Sequence, residues 1–323
     1  MPQLAILIPC YNEAQTIGKV VRECRENIRS YDATIYVYDN NSTDHTDEIA
    51  RAAGAVVRYE HKQGKGNVIR RMFREIEADC YVMLDGDDTY HPRHIEEMAA
   101  LVLDQGVDMV VGDRLNSSYF TQNKRMFHNF GNVFVRRFIN TVFHSDIQDI
   151  MTGYRAFSRA FVKTFPVLSR GFEIETEMSI HAIDKNMFVK NVVVDYSDRP
   201  AGSESKLNTI SDGIRVVRMM LRLFRNYKPL AFFGIVAALL LALAAAVFVP
   251  VVWMPYLQTG LVPNFPTLIV CGFVVLAALL CYATGLVLDT MVQKEKQEFE
   301  FRLQLVQLQK TRADVAGEER RDA

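Results

Sequence analysis

The strongest constraint on this chain is a long run without a charged residue, from Pro229 to Leu288. It contains two apolar stretches, residues 230–253 and 265–288, and each is long enough to cross a bilayer, which takes about 20 residues. The connector, residues 254–264, contains proline and glycine, which favour a turn. Because helices of soluble proteins seldom run this long without a charge, the run predicts a transmembrane hairpin over residues 229–289 and not a buried helical hairpin.

Basic residues flank the apolar run on both sides, and the connector carries none. Since basic residues stay on the cytoplasmic side of a membrane, both termini and the chain before the hairpin are predicted to be cytoplasmic. Residues 209–228 are predicted to form a basic amphipathic helix in the membrane interface, and residues 290–323 a cytosolic tail. The flanking basic residues are Arg215, Arg218, Arg222, Arg225 and Lys228 before the run, and Lys294, Lys296 and Arg302 after it.

The chain before the hairpin, residues 1–208, alternates strand-like and helix-like segments, as an α/β domain with a mainly parallel sheet does. Between residues 115 and 188 the sequence predicts helices and a loop. Because ligands bind outside the carboxyl ends of parallel strands, the polar residues that follow the first five strands are predicted to share one pocket. The predicted strands are 4–10, 34–39, 55–59, 80–84, 109–111 and 188–196, and the predicted helices are 14–28, 43–53, 65–77 and 92–103.

Three carboxylates, Asp85, Asp87 and Asp88, follow the fourth predicted strand at once. Mg²⁺ and Mn²⁺ are commonly bound by one or two carboxylates together with substrate phosphates, so the cluster indicates a substrate that carries phosphate. Two alternatives stay open at this point. Asp85 and Asp87 also fit the nucleophile and acid/base pair of haloacid-dehalogenase-like phosphatases, although those enzymes usually carry the motif after the first strand. The cluster also fits a solvated turn in a non-enzymatic membrane module.

The other predicted strand ends carry further polar motifs. Together with D-G-D from Asp85, these motifs resemble, in their order and spacing, family 2 inverting glycosyltransferases of the GT-A fold, a Rossmann-like and mainly parallel α/β fold. Two later motifs resemble the polyisoprenyl-phosphate branch of that family, which includes dolichol-phosphate mannose synthase and the bactoprenol glucosyltransferases. The early motifs are P-C-Y-N-E from Pro9, D-N-N-S-T-D from Asp39 and G-K-G-N from Gly64; the later ones are D-I-M-T-G-Y-R from Asp149 and R-P-A-G-S-E-S-K-L from Arg199.

The resemblance implies roles for individual residues. Asp85 lies near ribose and metal and Asp87 ligates the metal, while Thr89 stands where many relatives have a glutamine that also contacts the ion. The third metal ligand could therefore be either Thr89 or Asp88. The residues implied in nucleotide-sugar binding are Pro9, Tyr11, Glu13, Asp39, Gly64, Lys65, Asp85 and Glu173.

The reaction implied is transfer of a sugar from a nucleotide-diphosphate donor to the phosphate of a membrane polyprenol, with inversion, for modification of cell-envelope glycans. A lipid phosphate has a second pKa of about 6, so it needs orientation more than deprotonation. Asp149 is predicted to supply that orientation, and the alternatives for it are a helix cap or a partner for Arg155. Anionic substrates call for arginine and lysine, and the candidates are Arg114, Arg125, Arg199 and Lys206.

The acidic run after Gly171 offers further candidates on one predicted helix. Glu173 is predicted to face the site. Glu175 and Glu177 are equally consistent with a solvated first turn, where acidic residues suit the helix dipole.

The sequence indicates the type of reaction more narrowly than it indicates the donor, the acceptor and other partners. A uridine-diphosphate hexose or N-acetylhexosamine is favoured by the two-span architecture, with GDP-mannose as the alternative, and a bacterial source would imply undecaprenyl phosphate as acceptor. The formal net charge of -1 gives no reason to expect nucleic-acid binding. A homo-oligomer is compatible with an apolar stripe of Phe301, Leu305 and Leu308 in the tail.

Overall fold

The computed structural model describes residues 2–114, 136–142, 146–171, 173–197, 218, 220–262 and 264–319. The chain divides into two compact units. The first comprises Met1–Gly213 together with Phe301–Ala323, and the second comprises Ile214–Glu300.

The first unit is built on a seven-stranded sheet. Its strands are β1 (Gln3–Cys10), β2 (Asp32–Asp39), β3 (Val56–Tyr59), β4 (Cys80–Met83), β5 (Met109–Asp113), β6 (Arg155–Ser158) and β7 (Val189–Val193). They lie in the order β3-β2-β1-β4-β6-β5-β7. All neighbours pair in parallel except β6, which runs antiparallel to both β4 and β5. The predicted mainly parallel α/β sheet is confirmed, and its parallel strands bring the ends of β1, β2, β3 and β4 to one edge.

Strand β6 was not predicted, because the sequence indicated only helices and a loop in this region. Its first residue, Arg155, is fully buried and interrupts the apolar pattern that marks the other strands. The guanidinium is satisfied by the backbone: Nε donates to the carbonyl of Thr152 at 3.0 Å, and Nη2 to that of Ile150 at 2.7 Å. A charged residue can therefore start a central strand here, since its donors are paired without leaving the interior.

Helices cover the sheet and connect its strands. They are α1 (Ile17–Glu26), α2 (Thr46–Ala52), α3 (Lys65–Glu75), α4 (Ile95–Leu103), α5 (Arg159–Thr164) and α6 (Ile174–Asp184). In α1 the residues Ile17, Val20, Val21 and Cys24 are buried, which is the spacing of one helix face. This face packs on the core with Ile6, Ile8, Val37 and Val82 of the sheet. Burial of each large aliphatic side chain contributes about 1.5–3 kcal/mol, so the core fixes where the strand ends lie.

The second unit contains the whole apolar run. Helix α7 (Pro229–Phe248) begins with proline at a first-turn position, continues through a π-helical turn into α8 (Met254–Thr259), and ends at Gly260 with φ 69°. Helix α9 (Phe265–Glu319) follows. By length and composition, Pro229–Thr259 and Phe265–Gln309 are apolar enough to cross a membrane. Many large apolar side chains on both are more than half exposed, among them Leu239, Phe273 and Leu280, which is unfavourable in water.

Candidate active site

Four predicted site carboxylates meet at the carboxyl edge of the sheet. Burial raises the pKa of the Cys10 thiol at the end of β1, and the charges of Glu13, Asp39, Asp85 and Asp87 raise it further. Asp39 is the neighbour of Cys10 across the β1–β2 pair, and a Cβ on Gly86, between Asp85 and Asp87, would clash with Cys10 Sγ, so the ends of three strands meet at this cysteine.

The loops after β1 and β2 are joined mainly by uncharged groups, together with the Asp44 carboxylate, whose Oδ2 accepts from the Ala14 N–H at 3.0 Å. The Asn12 backbone N–H donates to Ser42 Oγ at 2.9 Å, and Asn12 Oδ1 accepts from the Thr43 N–H at 2.8 Å. The Glu13 N–H donates to Thr46 Oγ1 at 2.9 Å. Asn12 has φ 54°, a left-handed conformation that asparagine tolerates better than most residues. The asparagine of the P-C-Y-N-E motif therefore shapes the loop from which Tyr11 and Glu13 project.

Asn40 joins the same region to the loop after β3. Its Nδ2 donates to the backbone carbonyls of Glu60 at 2.6 Å and Lys62 at 2.9 Å, while its Oδ1 accepts from the Gly64 N–H at 2.7 Å. Three loops are thereby held in register by two asparagines.

Asp39 has one buried carboxylate oxygen to spare. Oδ2 accepts from the Ser42 N–H at 3.0 Å, whereas Oδ1 is buried with no hydrogen-bond partner among the described residues. An unpaired buried acceptor is costly, so a donor from a bound molecule would stabilise it. Pro9 is half-buried and Tyr11 is 37% exposed at the end of the neighbouring strand, which leaves both accessible to a ligand.

The glycines of the G-K-G motif admit a close neighbour from far along the chain. A Cβ on Gly64, which has φ 128°, would clash with the Arg170 carbonyl, and one on Gly66 would clash with that of Ser169. The Gly66 N–H donates to the Arg170 carbonyl at 3.1 Å. The close approach at these glycines is therefore to the chain's own backbone, and the motif alone could not show which partner approaches.

Lys65 stands between two acidic side chains. Its Nζ lies 2.5 Å from Asp85 Oδ1 and 2.7 Å from Glu175 Oε1. Burial lowers the pKa of Lys65, but the two carboxylates outweigh burial and raise it above its ordinary value, so the ammonium stays charged. Burial raises the pKa of Glu175, and Lys65 opposes that rise. A side chain at Gly153, in the D-I-M-T-G-Y-R motif, would clash with the Asp85 carboxylate, so this glycine leaves room for Asp85.

Asp87 is held by Thr89, one of the two residues considered as a third metal ligand. Thr89 Oγ1 donates to Asp87 Oδ1 at 2.6 Å and the Thr89 N–H donates to the same oxygen at 3.2 Å. Asp88, at φ 60°, instead pairs through Oδ2 with Lys19 Nζ at 2.6 Å. Thr89 therefore positions Asp87, and Asp88 is paired with α1.

The acidic edge suits a cation that is shared with a substrate. No group of three or more histidine, cysteine, aspartate or glutamate side chains that could hold a metal occurs among the described residues. Asp85 and Asp87 supply two carboxylates, which is the usual protein share for Mg²⁺ when substrate phosphates complete the coordination. The donor set therefore fits such an ion.

Asp149 is paired with Arg114. The Asp149 carboxylate is almost fully buried, and its Oδ2 accepts from Arg114 Nε at 2.7 Å while Oδ1 accepts from the Met151 N–H at 3.2 Å. Arg114 Nη1 also donates to the buried Tyr90 hydroxyl at 3.4 Å. Arg155, the alternative partner considered for Asp149, bonds backbone carbonyls instead, and burial lowers its pKa to about 10.

Three glutamates lie at the start of α6. Glu173 is exposed at the N-cap, and its part in nucleotide-sugar binding stays a prediction. Glu175 and Glu177 are buried, so a solvated first turn for these two was wrong. Glu177 accepts from the N–H groups of Leu168 at 3.2 Å and Ser169 at 2.8 Å, and so supports the segment that packs on the G-K-G loop. Glu175 belongs to the site, and only the need of a buried lysine for a counterion could have indicated it. Three predicted phosphate ligands lie outside the described residues: Arg125, Arg199 and Lys206.

Comparison with known proteins places this site in a family. A family model described as glycosyl transferase family 2 matches residues 5–165. The chain is 34% identical to the glycosyltransferase AglJ of Haloferax volcanii over 78% of this chain and 82% of that protein. It is 26% identical to a dolichyl-phosphate hexose transferase of the same organism over 68% of this chain and 92% of that protein.

A solved structure shares the fold. Glucosyl-3-phosphoglycerate synthase from Mycobacterium tuberculosis, crystallised with Mn²⁺, UDP and phosphoglyceric acid, superposes with a TM-score of 0.54 at 18% identity, covering 69% of this chain and 78% of that one. The expected GT-A-like fold is confirmed. The family match decides against the phosphatase and the non-enzymatic module. The chain belongs to glycosyl transferase family 2 and is a glycosyltransferase.

Proposed function

We propose that this glycosyltransferase moves a sugar from a nucleotide-diphosphate donor to the phosphate of a polyprenol at the membrane, with inversion. The observation that carries the proposal is that one chain combines a carboxylate edge suited to a metal-bound diphosphate with two helices long and apolar enough to cross a membrane. The relative named dolichyl-phosphate hexose transferase supports a lipid phosphate as acceptor. The product would be a polyprenyl-phosphate-linked monosaccharide for cell-envelope glycans.

The nucleoside of the donor would bind beside β1 and β2. Asp39 Oδ1, which lacks a partner among the described residues, would accept a hydrogen bond from the base or the ribose. Pro9, Tyr11 and Glu13 project from the adjoining loop, whose shape Asn12 fixes. Uridine-diphosphate hexose or N-acetylhexosamine is the favoured donor, and GDP-mannose is the alternative.

Asp85 and Asp87 would hold Mg²⁺ or Mn²⁺ together with the donor diphosphate. When bound, the ion screens the diphosphate charge and stabilises the leaving nucleoside diphosphate. Thr89 keeps Asp87 Oδ1 in place through two hydrogen bonds, so that its carboxylate is oriented before the donor arrives. Lys65 adds a positive charge at the same edge, where it can meet a phosphate oxygen as a point charge.

The acceptor phosphate attacks the anomeric carbon of the sugar while the bond from that carbon to the donor diphosphate breaks. A dianionic phosphate needs no base, because its second pKa is about 6. Asp149 has almost no exposed surface and is bonded to Arg114, so its part is to orient that guanidinium towards an acceptor oxygen. Arg125, Arg199 and Lys206 stay predictions for the same substrates.

The second unit offers contacts for a lipid phosphate. A cleft of about 350 Å³ is lined by Arg218, Leu221, Arg222, Arg225 and Phe232, next to the start of α7. In the described part of the chain none of these arginines forms an ion pair with an acidic side chain. Guanidinium groups beside apolar side chains suit anionic lipid headgroups. The basic flanks favour a cytoplasmic catalytic unit and cytoplasmic termini.

The test is sugar transfer in membranes that contain the full chain. Membranes are incubated with a panel of labelled nucleotide sugars, a polyprenyl phosphate, and Mg²⁺ or Mn²⁺, and undecaprenyl phosphate is used if the source is bacterial. Label is expected in a lipid from which mild acid releases the sugar, and only when a divalent ion is present. Label on protein or polymer, or no labelled lipid with any donor, would overturn the proposal. Membranes carrying Asp87→Asn are the matched control.

A further inference from the structure

Lys65 occupies one carboxylate oxygen of Asp85, a residue that the proposed function assigns to the metal ion. Its ammonium lies 2.5 Å from Asp85 Oδ1 and 2.7 Å from Glu175 Oε1. The side chains of Lys65 and Glu175 are only 9% and 10% exposed, so solvent can do little to screen either charge. Together the three groups carry one surplus negative charge.

A divalent cation cannot share this position with the ammonium. Mg²⁺ binds oxygen at about 2.0–2.1 Å, so an ion on the same carboxylate oxygen would face the Lys65 charge at close range. Two cations so close repel strongly in a site shielded from water. Either Lys65 moves off Asp85, or the ion binds elsewhere on that carboxylate.

Glu175 supplies the place to which Lys65 can move. Its Oε1 already binds the ammonium, and it lies on α6, far along the chain from the aspartates. With this second carboxylate Lys65 keeps a buried partner after it leaves Asp85. Without Glu175, the ammonium would lose one of the two carboxylates that hold it.

We propose that Lys65 is a tethered cation that neutralises Asp85 in the metal-free enzyme and gives way to the divalent ion, and that Glu175 is the positioning residue that retains Lys65 during the exchange. This inference rests on the proposed function, in which Asp85 and Asp87 hold that ion. It predicts that Lys65 and the metal compete for Asp85, and that Glu175 sets the balance.

The test measures Mn²⁺ binding directly, by electron paramagnetic resonance of the free ion, with the full chain in detergent and no nucleotide. The informative variant is Lys65→Met/Glu175→Gln, which keeps the charge of the three groups unchanged and frees Asp85. It should bind Mn²⁺ about tenfold more tightly than the wild type, since the competing charge is gone. Glu175→Gln alone should bind about tenfold more weakly, because Lys65 then loses the competing carboxylate of Glu175 and is held more tightly by Asp85.

Controls separate competition from other effects. Lys190 lies on β7, and its Nζ donates to Gln105 Oε1 at 2.7 Å. The variant Lys190→Met removes this lysine and should leave the affinity for Mn²⁺ unchanged. If Lys65→Met/Glu175→Gln does not fold, Lys65→Gln/Glu175→Gln keeps polar groups at both positions and tests the same competition.

The possible outcomes distinguish the inference from the function beneath it. Tighter binding by the charge-matched double variant supports the inference. Affinity equal to or weaker than that of the wild type overturns it, while a wild type that binds Mn²⁺ leaves the proposed metal site standing. A wild type that binds no Mn²⁺, with or without UDP, overturns both.

Discussion

The two sides of the site are built from different interactions. The neutral side comprises the loops after β1, β2 and β3 and is named for the uncharged asparagines that join them, Asn12 and Asn40, which bond backbone groups and hydroxyls. Its carboxylates, Asp39 and Asp44, accept hydrogen bonds from backbone N–H groups and form no ion pair among the described residues. The ionic side comprises charged groups that partly neutralise one another: Lys65, Asp85, Asp87, Arg114, Asp149 and Glu175. Under the proposed function, hydrogen bonds within the neutral side need not change when a nucleoside binds. On the ionic side an arriving phosphate or cation changes the charge balance, so partners there must be able to exchange.

The largest effect is expected from Asp87→Asn on the ionic side. Loss of this carboxylate should lower kcat about 1000-fold, the upper range for removing one preorganised electrostatic group. The melting temperature should stay unchanged, because the asparagine Oδ1 can still accept the Thr89 bonds. Sugar transfer to polyprenyl phosphate and thermal unfolding measure the two effects. Asp88→Asn is the matched control, and an equal loss there would make Asp88 a second essential carboxylate.

Arg114→Met should unbalance the ionic side in the folded state itself. It leaves the buried Asp149 carboxylate without its guanidinium, and removing one partner of a buried pair costs about 3 kcal/mol or more. Denaturant unfolding measures the loss. The double variant Arg114→Met/Asp149→Asn should regain most of the stability without regaining transfer activity. If the double variant is as unstable as the single one, the ion pair does not account for the loss.

Asn40→Ala tests the neutral side. It removes the groups that bond Glu60, Lys62 and Gly64, and the loss of each of these half-buried hydrogen bonds should cost about 0.5–1.5 kcal/mol. The donor KM should rise more than kcat falls, since the loops shape the nucleoside site. The control is Asn67→Ala, which loses one bond to the Gln63 carbonyl. A fall in kcat with unchanged KM would contradict the division into two sides.

The smallest effect concerns pH and α6, which supplies Glu175 to the ionic side. Burial, followed by the charge of Lys185, lowers the pKa of His181 on this helix to about 4. The unfolded chain, with a histidine pKa of about 6.5, therefore binds the proton more readily. The stability that neutral His181 contributes is fully present well above pH 6.5 and is lost as the pH is lowered towards about 4; between pH 7 and 6 the loss is about 0.7 kcal/mol. Comparing unfolding of the wild type and His181→Gln across this range isolates the effect, and equal slopes would refute it.

The sequence predicted the strands that carry the site because their apolar runs end sharply in polar residues. The run that ends at Leu84 shows this, since the next residue, Asp85, is already at the sheet edge. The same rule failed at β6, where Arg155 takes an interior position and finds its partners in the backbone. Apolar patterning cannot indicate a buried charge whose donors are satisfied locally.

The place of Glu175 in the site was not predicted from the sequence for a related reason. Helix α6 is buried along almost its whole length, so it has no solvent face from which to judge the direction of each side chain. The glycines of the G-K-G motif showed that something comes close. The neighbour is the backbone of Ser169 and Arg170, a long-range contact that no local pattern contains. Local motifs therefore predicted which residues lie at the site, whereas the sequence did not predict which distant residues contact them.

The antiparallel strand β6 has a consequence for how such an enzyme can diversify. β5 and β6 are hydrogen-bonded neighbours, yet the chain between them runs from Asp113 to Arg155 and includes Arg114 and Asp149. Under the proposed function, Arg114 and Asp149 in this connection serve the acceptor, whereas the loops assigned to the nucleoside follow β1, β2 and β3. Sequence changes between β5 and β6 are therefore expected to alter the preference for acceptor more than the preference for donor.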